Sequence, residues 1–225
     1  MLLVQGAFEA CTCQEPNTGA RFEGMTQLPL LYVGGDPALD LINTVDWTSH
    51  GPAGERLQTY EQLVRWAEGA GVVDAAAGHR LRRLGKAQPR TAAAALTYAL
   101  QARGTLRDLL GAIARGEPGE PELAHFNELL HEALGGLEVA PLEGGYGWRW
   151  PGEGSDPRAI TWRVLWSAAS LLQSDEIGNV RVCDGDDCGW MYVDRSRNGF
   201  RRWCQMRTCG TREKTRRRRV SGSAT

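Results

Sequence analysis

The stretch Cys183–Arg212, CDGDDCGWMYVDRSRNGFRRWCQMRTCGTR, holds four of the six cysteines in the chain. They form two C-x4-C pairs, Cys183 with Cys188 and Cys204 with Cys209, and fifteen residues separate the pairs. Two close pairs of thiolates suit tetrahedral Zn²⁺, with Zn–S distances of about 2.3 Å. The alternatives are disulfides, which belong to oxidising compartments, and four free buried cysteines. We therefore predict one structural Zn²⁺ ion held by all four thiolates, with no open position for catalysis at the metal.

Charge is distributed unevenly along the chain. The formal net charge is −1. From Arg181 to the end there are twelve Lys or Arg and five Asp or Glu, a local charge of +7, whereas the preceding residues carry −8. Such a split predicts two units with different partners, and it favours a polyanion such as nucleic acid as the partner of the basic unit.

The basic unit is predicted to contact DNA, because guanidinium groups fork onto phosphate oxygens. Trp190, Tyr192 and Phe200 are candidates for its small core. The exposure of three aromatic residues distinguishes two kinds of nucleic-acid partner: Trp190, Tyr192 and Trp203. If they are exposed beside the arginines, stacking on a single strand is favoured; if they are buried, binding to the duplex backbone is favoured. The predicted DNA-binding residues are Arg195, Arg197, Asn198, Arg201, Arg202, Arg207, Arg212, Lys214, Arg216, Arg217, Arg218 and Arg219.

The residues before this unit show mainly helical patterns. Asp36 is an N-cap followed by Pro37, and Thr59 with Gln62 forms a capping box. Further helices are predicted from Asp74, over Thr91–Ala114, from Pro121 and over Pro157–Gln173. The segment TSHGPAGERL is predicted to be a loop, and LEVAPLEGGYGWRWPG a hairpin in which Trp148 and Trp150 share one face and pack into the core.

These patterns predict a mainly α fold with a small β-hairpin, in which a helical N-terminal domain precedes a C-terminal zinc module. We expect a loose leader over residues 1–25, a helical domain over 26–175, a zinc module over 176–219 and a disordered tail over 220–225. Met25 is an alternative start, and Cys11 and Cys13 of the leader are incidental. No apolar run suits a membrane span, and the N-terminus lacks a basic secretory signal, so we expect a cytoplasmic protein without a membrane partner.

Two groups of residues are candidates for binding a small-molecule effector. Asn43, Asp46 and Trp47 follow the first apolar run and would line a pocket, but we favour local backbone bonding by Asn43 and Asp46 and core packing by Trp47, because such residues commonly make local turns. Arg103 and Arg107 lie one turn apart on the long helix. They would bind an anion, or form a structural ion pair with Asp46 or Glu61.

The basic unit resembles the CGNR-type zinc finger. The resemblance rests on the C-x4-C pair at Cys183, the turn DRSRN at 194–198, the run RRWC at 201–204, and Cys209 followed by Gly-Thr-Arg. Thr211 stands where the family has asparagine. The resemblance implies a treble-clef-like zinc module that binds DNA, with all four metal ligands retained.

Upstream segments, including ALDLINTVDW and TYEQLVRWAEGAG, resemble the ABATE domain, the helical stress-sensing domain that accompanies this finger. Together the two resemblances cover residues 28–219. They imply a bacterial, nucleoid-associated DNA-binding regulator that responds to a small-molecule effector. We expect that the protein is not an enzyme, and a homodimer is one form in which it would bind DNA. The alternatives are a small-molecule-binding protein or enzyme with a structural zinc module, and an RNA-binding or protein-interaction module.

Overall fold

A long helix forms the centre of the molecule, and the other helices pack around it. The computed structural model describes residues 28–117, 119–142, 144–150 and 155–222, so the predicted leader lies outside the described residues. Helices account for 56% of the described residues, which confirms the mainly α fold. The α-helices are α1 (Pro37–Ile42), α2 (Tyr60–Gly69), α3 (Ala75–Ala87), α4 (Pro89–Ala114), α5 (Glu120–Leu134), α6 (Ala159–Leu172) and α7 (Thr211–Gly222).

Local capping signals start the first three helices where the sequence predicts. The Asp36 carboxylate accepts a hydrogen bond from the Ala38 N–H, and the Asp74 carboxylate accepts one from Ala77. Thr59 and Gln62 form the complete capping box of α2. These caps satisfy N–H groups that the first helical turn leaves unpaired.

Small side chains allow neighbouring helices to approach α4 closely. Ala95, Ala99 and Ala102 lie on its buried side, and Leu106 and Leu109 extend the same side toward its C-terminus. Helices α1, α2, α3, α5 and α6 all contact α4. Among the described residues, none of the helices combines the length and the apolar character that a membrane crossing needs.

The segment predicted to be a loop after α1 forms a hairpin instead. Strand β1 (Val45–Thr48) pairs antiparallel with β2 (Gly51–Glu55). Gly51 adopts a φ of 107°, which lets the chain turn back within two residues. The prediction missed this hairpin because Gly and Pro in β2 hide its strand character.

The predicted second hairpin is present, with β3 (Glu138–Leu142) antiparallel to β4 (Gly145–Arg149). Trp150 is buried and donates its indole N–H to the Ala133 carbonyl over 2.6 Å. Trp148 is 57% exposed, so the prediction that it packs into the core is wrong. Both indoles contact Trp166, but only Trp150 lies beneath the surface.

The C-terminal module shares the core of the helical domain. A 3-10 helix (Asp175–Asn179) leads from α6 into β5 (Val180–Val182), which pairs antiparallel with β6 (Met191–Val193). Side chains of both strands are buried in the same apolar cluster as the helices. The final helix α7 reaches Gly222, inside the segment where the sequence predicted a disordered tail, and residues 223–225 lie outside the described residues.

Candidate metal centre and basic surface

The first cysteine pair sits on a tight turn that follows β5. The Cys183 N–H bonds to the Trp190 carbonyl over 2.8 Å, and the Cys188 N–H bonds to the Gly185 carbonyl over 3.1 Å. A Cβ at Gly185 would lie only 2.9 Å from Cys209 Cβ. Glycine is therefore required where the turn passes under the second pair.

The second cysteine pair lies just before α7. Cys204 follows the Arg201–Trp203 segment, and Cys209 lies in a π-helical turn (Met206–Gly210) that leads directly into α7. The two pairs are joined by the Asp184 N–H, which bonds to the Arg202 carbonyl over 2.8 Å. Backbone hydrogen bonds thus position both cysteine pairs independently of any metal ion.

The four thiol groups converge on one point. Their Sγ atoms all lie within 4.8 Å of one another, and Cys204 Sγ is 3.9 Å from Cys188 Sγ and 3.7 Å from Cys209 Sγ. A tetrahedron with Zn–S bonds of about 2.3 Å has sulfur–sulfur edges of about 3.8 Å. All four cysteines are free thiols, so the disulfide alternative is wrong.

The donor set around the sulfurs stabilises negative charge. Hydrogen bonds from the Cys188 and Cys204 thiols, and then from the backbone N–H groups of Cys204 and Gly185, lower the pKa of the Cys183 thiol below its usual range. The neighbouring Cys183 raises the pKa of the Cys188 thiol above its usual range. The metal-free cluster therefore holds one thiolate readily but resists a second. A divalent cation removes that resistance, because a bound metal ion deprotonates its thiol ligands. The four sulfurs thus fit Zn²⁺.

Two family models match the chain at these features. The ABATE model, described as "Putative stress-induced transcription regulator", matches residues 35–175. The chain belongs to the ABATE family. The CGNR zinc finger model matches residues 179–220, which include all four cysteines. No curated protein matches.

The small core of the CGNR finger contains two of its three predicted aromatic residues. Trp190 and Tyr192 are buried and pack with Cys183, Cys204 and Cys209. Leu31, Val33 and Trp47 of the preceding chain complete this cluster. Phe200 is 80% exposed, so the prediction that it belongs to the core is wrong. Its turn carries it to the rim because the backbone reverses at Gly199, whose φ is +66°.

Buried polar contacts join the finger to the ABATE domain. The Asn43 side-chain amide donates to the Met191 carbonyl over 2.8 Å, and its oxygen accepts from the Met191 N–H over 2.9 Å. Asn43 is 1% exposed. The Trp190 indole N–H donates to the Val45 carbonyl over 2.9 Å. These bonds make the end of α1 an additional strand-like partner of β6.

The predicted effector residues Asn43, Asp46, Trp47, Arg103 and Arg107 bind protein groups. Asp46 accepts a 2.9 Å salt bridge from Arg56. Arg107 lies with its guanidinium carbon 4.1 Å from the Trp47 ring centroid and donates to the Gly189 carbonyl over 2.8 Å. Arg103 is buried and pairs with Glu55, not with the predicted Asp46 or Glu61. Asp46 and Trp47 also line a cleft between the two domains, beside the metal centre.

Five of the predicted DNA-binding arginines are bonded to protein groups, some within the finger and some in the chain that precedes it. Arg201 lies over the Tyr192 ring at 4.0 Å and donates to the carbonyls of Trp203 and Cys204. Arg195 bonds to Glu176 and to the Gly35 carbonyl, Arg202 pairs with Asp184, and Arg216 and Arg217 share Glu213. Hydrogen bonds from Arg216 and Arg217 lower the pKa of Glu213 to about 2.

Other predicted contacts are exposed on the finger. The side chains of Arg197, Asn198, Arg207 and Lys214 are exposed, and among the described residues these side chains form no hydrogen bond or salt bridge. Arg212 is exposed near Asp187, which its charge stabilises. Arg218 and Arg219 are exposed near the end of α7. The finger therefore presents cations on its turn, on its π-helical turn and along α7.

Thr211, which replaces the family asparagine, has a structural partner. Its hydroxyl donates to the Met206 carbonyl over 3.0 Å. That bond closes the π-helical turn that carries Cys209. The hydroxyl thus supports the metal site at the start of α7.

The sequence analysis placed Asp194 in the DRSRN turn but assigned its carboxylate no role. Its buried carboxylate accepts hydrogen bonds from the N–H groups of Ser196 and Arg201, at 2.9 and 3.0 Å. These bonds hold the two ends of the DRSRNGFR turn together. An aspartate two residues before a serine is a known turn signal and could have indicated this.

Proposed function

We propose that this protein is a zinc-dependent, DNA-binding transcription regulator, not an enzyme. Its ABATE domain would sense a small-molecule or stress signal, and its finger would act at the bacterial nucleoid in the cytoplasm. The family description and the four-sulfur cluster support the regulator and the metal. The exposed cations of the finger support DNA binding.

The observation that carries this proposal is the set of uncommitted cations on a rigid module. Arg197, Arg207 and Lys214 have no protein partner within the described residues, whereas Arg195, Arg201 and their neighbours are used to fix the module. Cations that stabilise nothing in the fold are available to phosphates, and replacing counterions at phosphates is the main source of affinity for DNA.

The aromatic residues favour a duplex over a single strand. Trp190 is 7% exposed and Tyr192 is 1% exposed, so neither offers a face on which a base could stack. Trp203 is half-buried. Single-strand binding proteins need such faces exposed along a positive groove. Their burial therefore supports binding to the duplex backbone over RNA or single-stranded DNA.

A cleft between the domains supports the sensing step. It has a volume of about 440 Å³, within the usual range for small-molecule sites. Asp46, Trp47 and Arg56 line it from the ABATE side, and Trp190 and Arg212 line it from the finger. Cys188, Cys204 and Cys209 also line it, so the cleft adjoins the metal centre and part of its volume belongs to that centre. A ligand bound there would contact both domains, so its affinity would depend on how the finger is docked.

The first experiment measures DNA affinity against salt. Zinc-loaded full-length protein is titrated with a fluorescent duplex, and an Arg197→Gln/Arg207→Gln variant is compared with an Arg80→Gln/Arg83→Gln variant. The control removes the same charge from exposed positions on α3. Loss of two phosphate contacts should reduce the slope of log affinity against log salt by about 2.

Two outcomes would count against the proposal. Equal slopes for both variants would place the DNA contacts elsewhere, and no salt-dependent duplex binding by the parent would refute DNA binding. A genome-wide binding map of the tagged protein, compared with the Arg197→Gln/Arg207→Gln variant, then tests regulation, because Arg216 and Arg217 also hold the buried Glu213. Homodimer formation stays a prediction, and the molecular mass of the complex in solution tests it.

A further inference from the structure

The turn between β6 and Cys204 is rigid and presents its tip to solvent. The buried Asp194 carboxylate clamps its two ends through Ser196 and Arg201. Within the turn, the Gly199 N–H bonds to the Ser196 carbonyl over 3.1 Å, and the Phe200 N–H bonds to the Ser196 hydroxyl over 3.2 Å. A loop held by four such bonds keeps its tip in one conformation without a partner.

An apolar edge lies at this tip, in the most basic part of the chain. Phe200 is 80% exposed and Met206 is 54% exposed. Both line a cleft of about 610 Å³, together with the half-buried Trp203. The fold gains nothing from an exposed phenyl ring, whereas burial against a partner would remove its apolar surface from water.

The charge around this edge identifies the partner. Arg197 belongs to the same turn and Arg207 follows Met206 in sequence, and neither side chain has a partner among the described residues. Arg202 also lines the cleft, where it pairs with Asp184. An apolar side chain surrounded by cations is complementary to a stacked base step flanked by phosphates. Apolar wedges of Phe, Leu, Ile or Met enter base steps from the minor groove, partly unstack them and kink the duplex.

We propose that Phe200, flanked by Met206, is a wedge that enters a base step of duplex DNA from the minor groove. This inference rests on the proposed DNA binding. The cations flanking the edge hold the two phosphate backbones, and the clamped turn aims the ring. Pyrimidine–purine steps such as TA unstack most easily, so the wedge would favour sites that contain one. Specificity would then come partly from DNA deformability.

The test compares Phe200→Ala with Phe200→Leu in zinc-loaded full-length protein. The matched control is Tyr146→Ala, which removes an 81% exposed aromatic ring from the β3–β4 hairpin. The probes are duplexes of about 20 base pairs, labelled at both ends, with a central TA step or an A-tract in its place. Anisotropy gives affinity, and energy transfer between the end labels gives bending.

We expect the parent and Tyr146→Ala to bind and bend the TA duplex more than the A-tract duplex. Phe200→Ala should bind the TA duplex roughly tenfold more weakly and leave it straight, because the wedge and its buried area are lost. Phe200→Leu should keep most of the bend. Zinc content and circular dichroism establish that each variant folds, as the exposure of Phe200 predicts.

Each other result has a distinct meaning. If Phe200→Ala binds and bends the TA duplex like the parent, the wedge is refuted and DNA binding stands. If the parent binds single-stranded DNA more tightly than duplex, and Phe200→Ala loses that affinity, the ring stacks on single strands and the duplex wedge is wrong. If the parent binds no duplex, the proposed function fails first.

Discussion

Replacing Asn43 by alanine tests whether the two domains form one folding unit. The Asn43 side chain makes both hydrogen bonds available at the Met191 backbone, at 2.8 and 2.9 Å. Met191 is fully buried, and its strand carries the chain from the first cysteine pair toward the second. Alanine leaves a buried N–H and a buried carbonyl without partners.

The cost follows from those two orphaned groups. A buried polar group left unpaired costs about 1–3 kcal/mol, so Asn43→Ala should lower the free energy of unfolding by about 2–6 kcal/mol. Domains are typically stable by about 5–15 kcal/mol, so this is a large fraction. The thermal midpoint should fall by roughly 4–24 °C.

Urea unfolding of the zinc-loaded full-length protein measures this cost. Release of zinc to a metal-sensitive dye reports on the finger, because six of the eight tryptophans lie in the ABATE domain and fluorescence would follow mainly that domain. Circular dichroism at 222 nm, a generic probe of helix content, reports on the helices. Asn198→Ala is the matched control, since Asn198 is exposed and should change stability by less than about 0.5 kcal/mol. Agreement of the two variants within about 1 kcal/mol would refute the coupling. Separate transitions for the two signals in the parent would refute the single unit.

Three further predictions concern the metal and the chain beneath it. Cys204→Ser should reduce bound zinc from about one ion per chain to none by mass spectrometry, whereas Cys11→Ser should leave it unchanged; retention of the metal would contradict the four-sulfur site. Gly185→Ala, whose methyl would lie 3.0 Å from Cys209 Sγ, should weaken zinc affinity about 10–100-fold in chelator competition. Gly178→Ala, which meets open space, should leave affinity unchanged, and equal affinities would show that the turn yields. Burial, and then the charge of Asp36, raise the pKa of Asp40 from 3.8 to about 6. Between these two pH values the folded state binds the Asp40 proton more tightly than the unfolded state does. The free energy of unfolding therefore falls as the pH rises from about 4 to about 6. Asp40→Asn should remove about 2–3 kcal/mol of this dependence, measured as the change in the free energy of unfolding in urea between pH 4 and pH 7; identical pH profiles for the two proteins would show that Asp40 does not titrate there.

Local signals in the sequence determined the helices and the metal ligands. Caps at Asp36, Thr59 and Asp74 start helices because a side chain satisfies N–H groups two or three residues away. The cysteine spacing indicates zinc for a similar reason, since each C-x4-C pair closes within one turn of chain. Such interactions need no knowledge of distant residues.

The hairpin after α1 shows where local signals fail. Gly, Pro and Ala in β2 have little strand propensity of their own. The structure pairs them with β1 and links the two ends of the hairpin through the Asp46–Arg56 salt bridge. Arg56 also lies over the Trp190 ring at 5.2 Å. The finger therefore stabilises the β1–β2 hairpin, whose own residues have little strand propensity.

By itself, the sequence determined that this chain has a helical domain, four metal-binding cysteines and an excess of basic residues at its C-terminus. Only the tertiary structure decided which of those residues are free. The sequence alone does not distinguish Arg201 from Arg197, or Asn43 from Asn198. In the structure, Arg201 and Asn43 bond to backbone groups that are far away in sequence. The physical reason is that a polar side chain's role depends on whether a distant backbone group needs its hydrogen bond, and chain folding alone brings the two together.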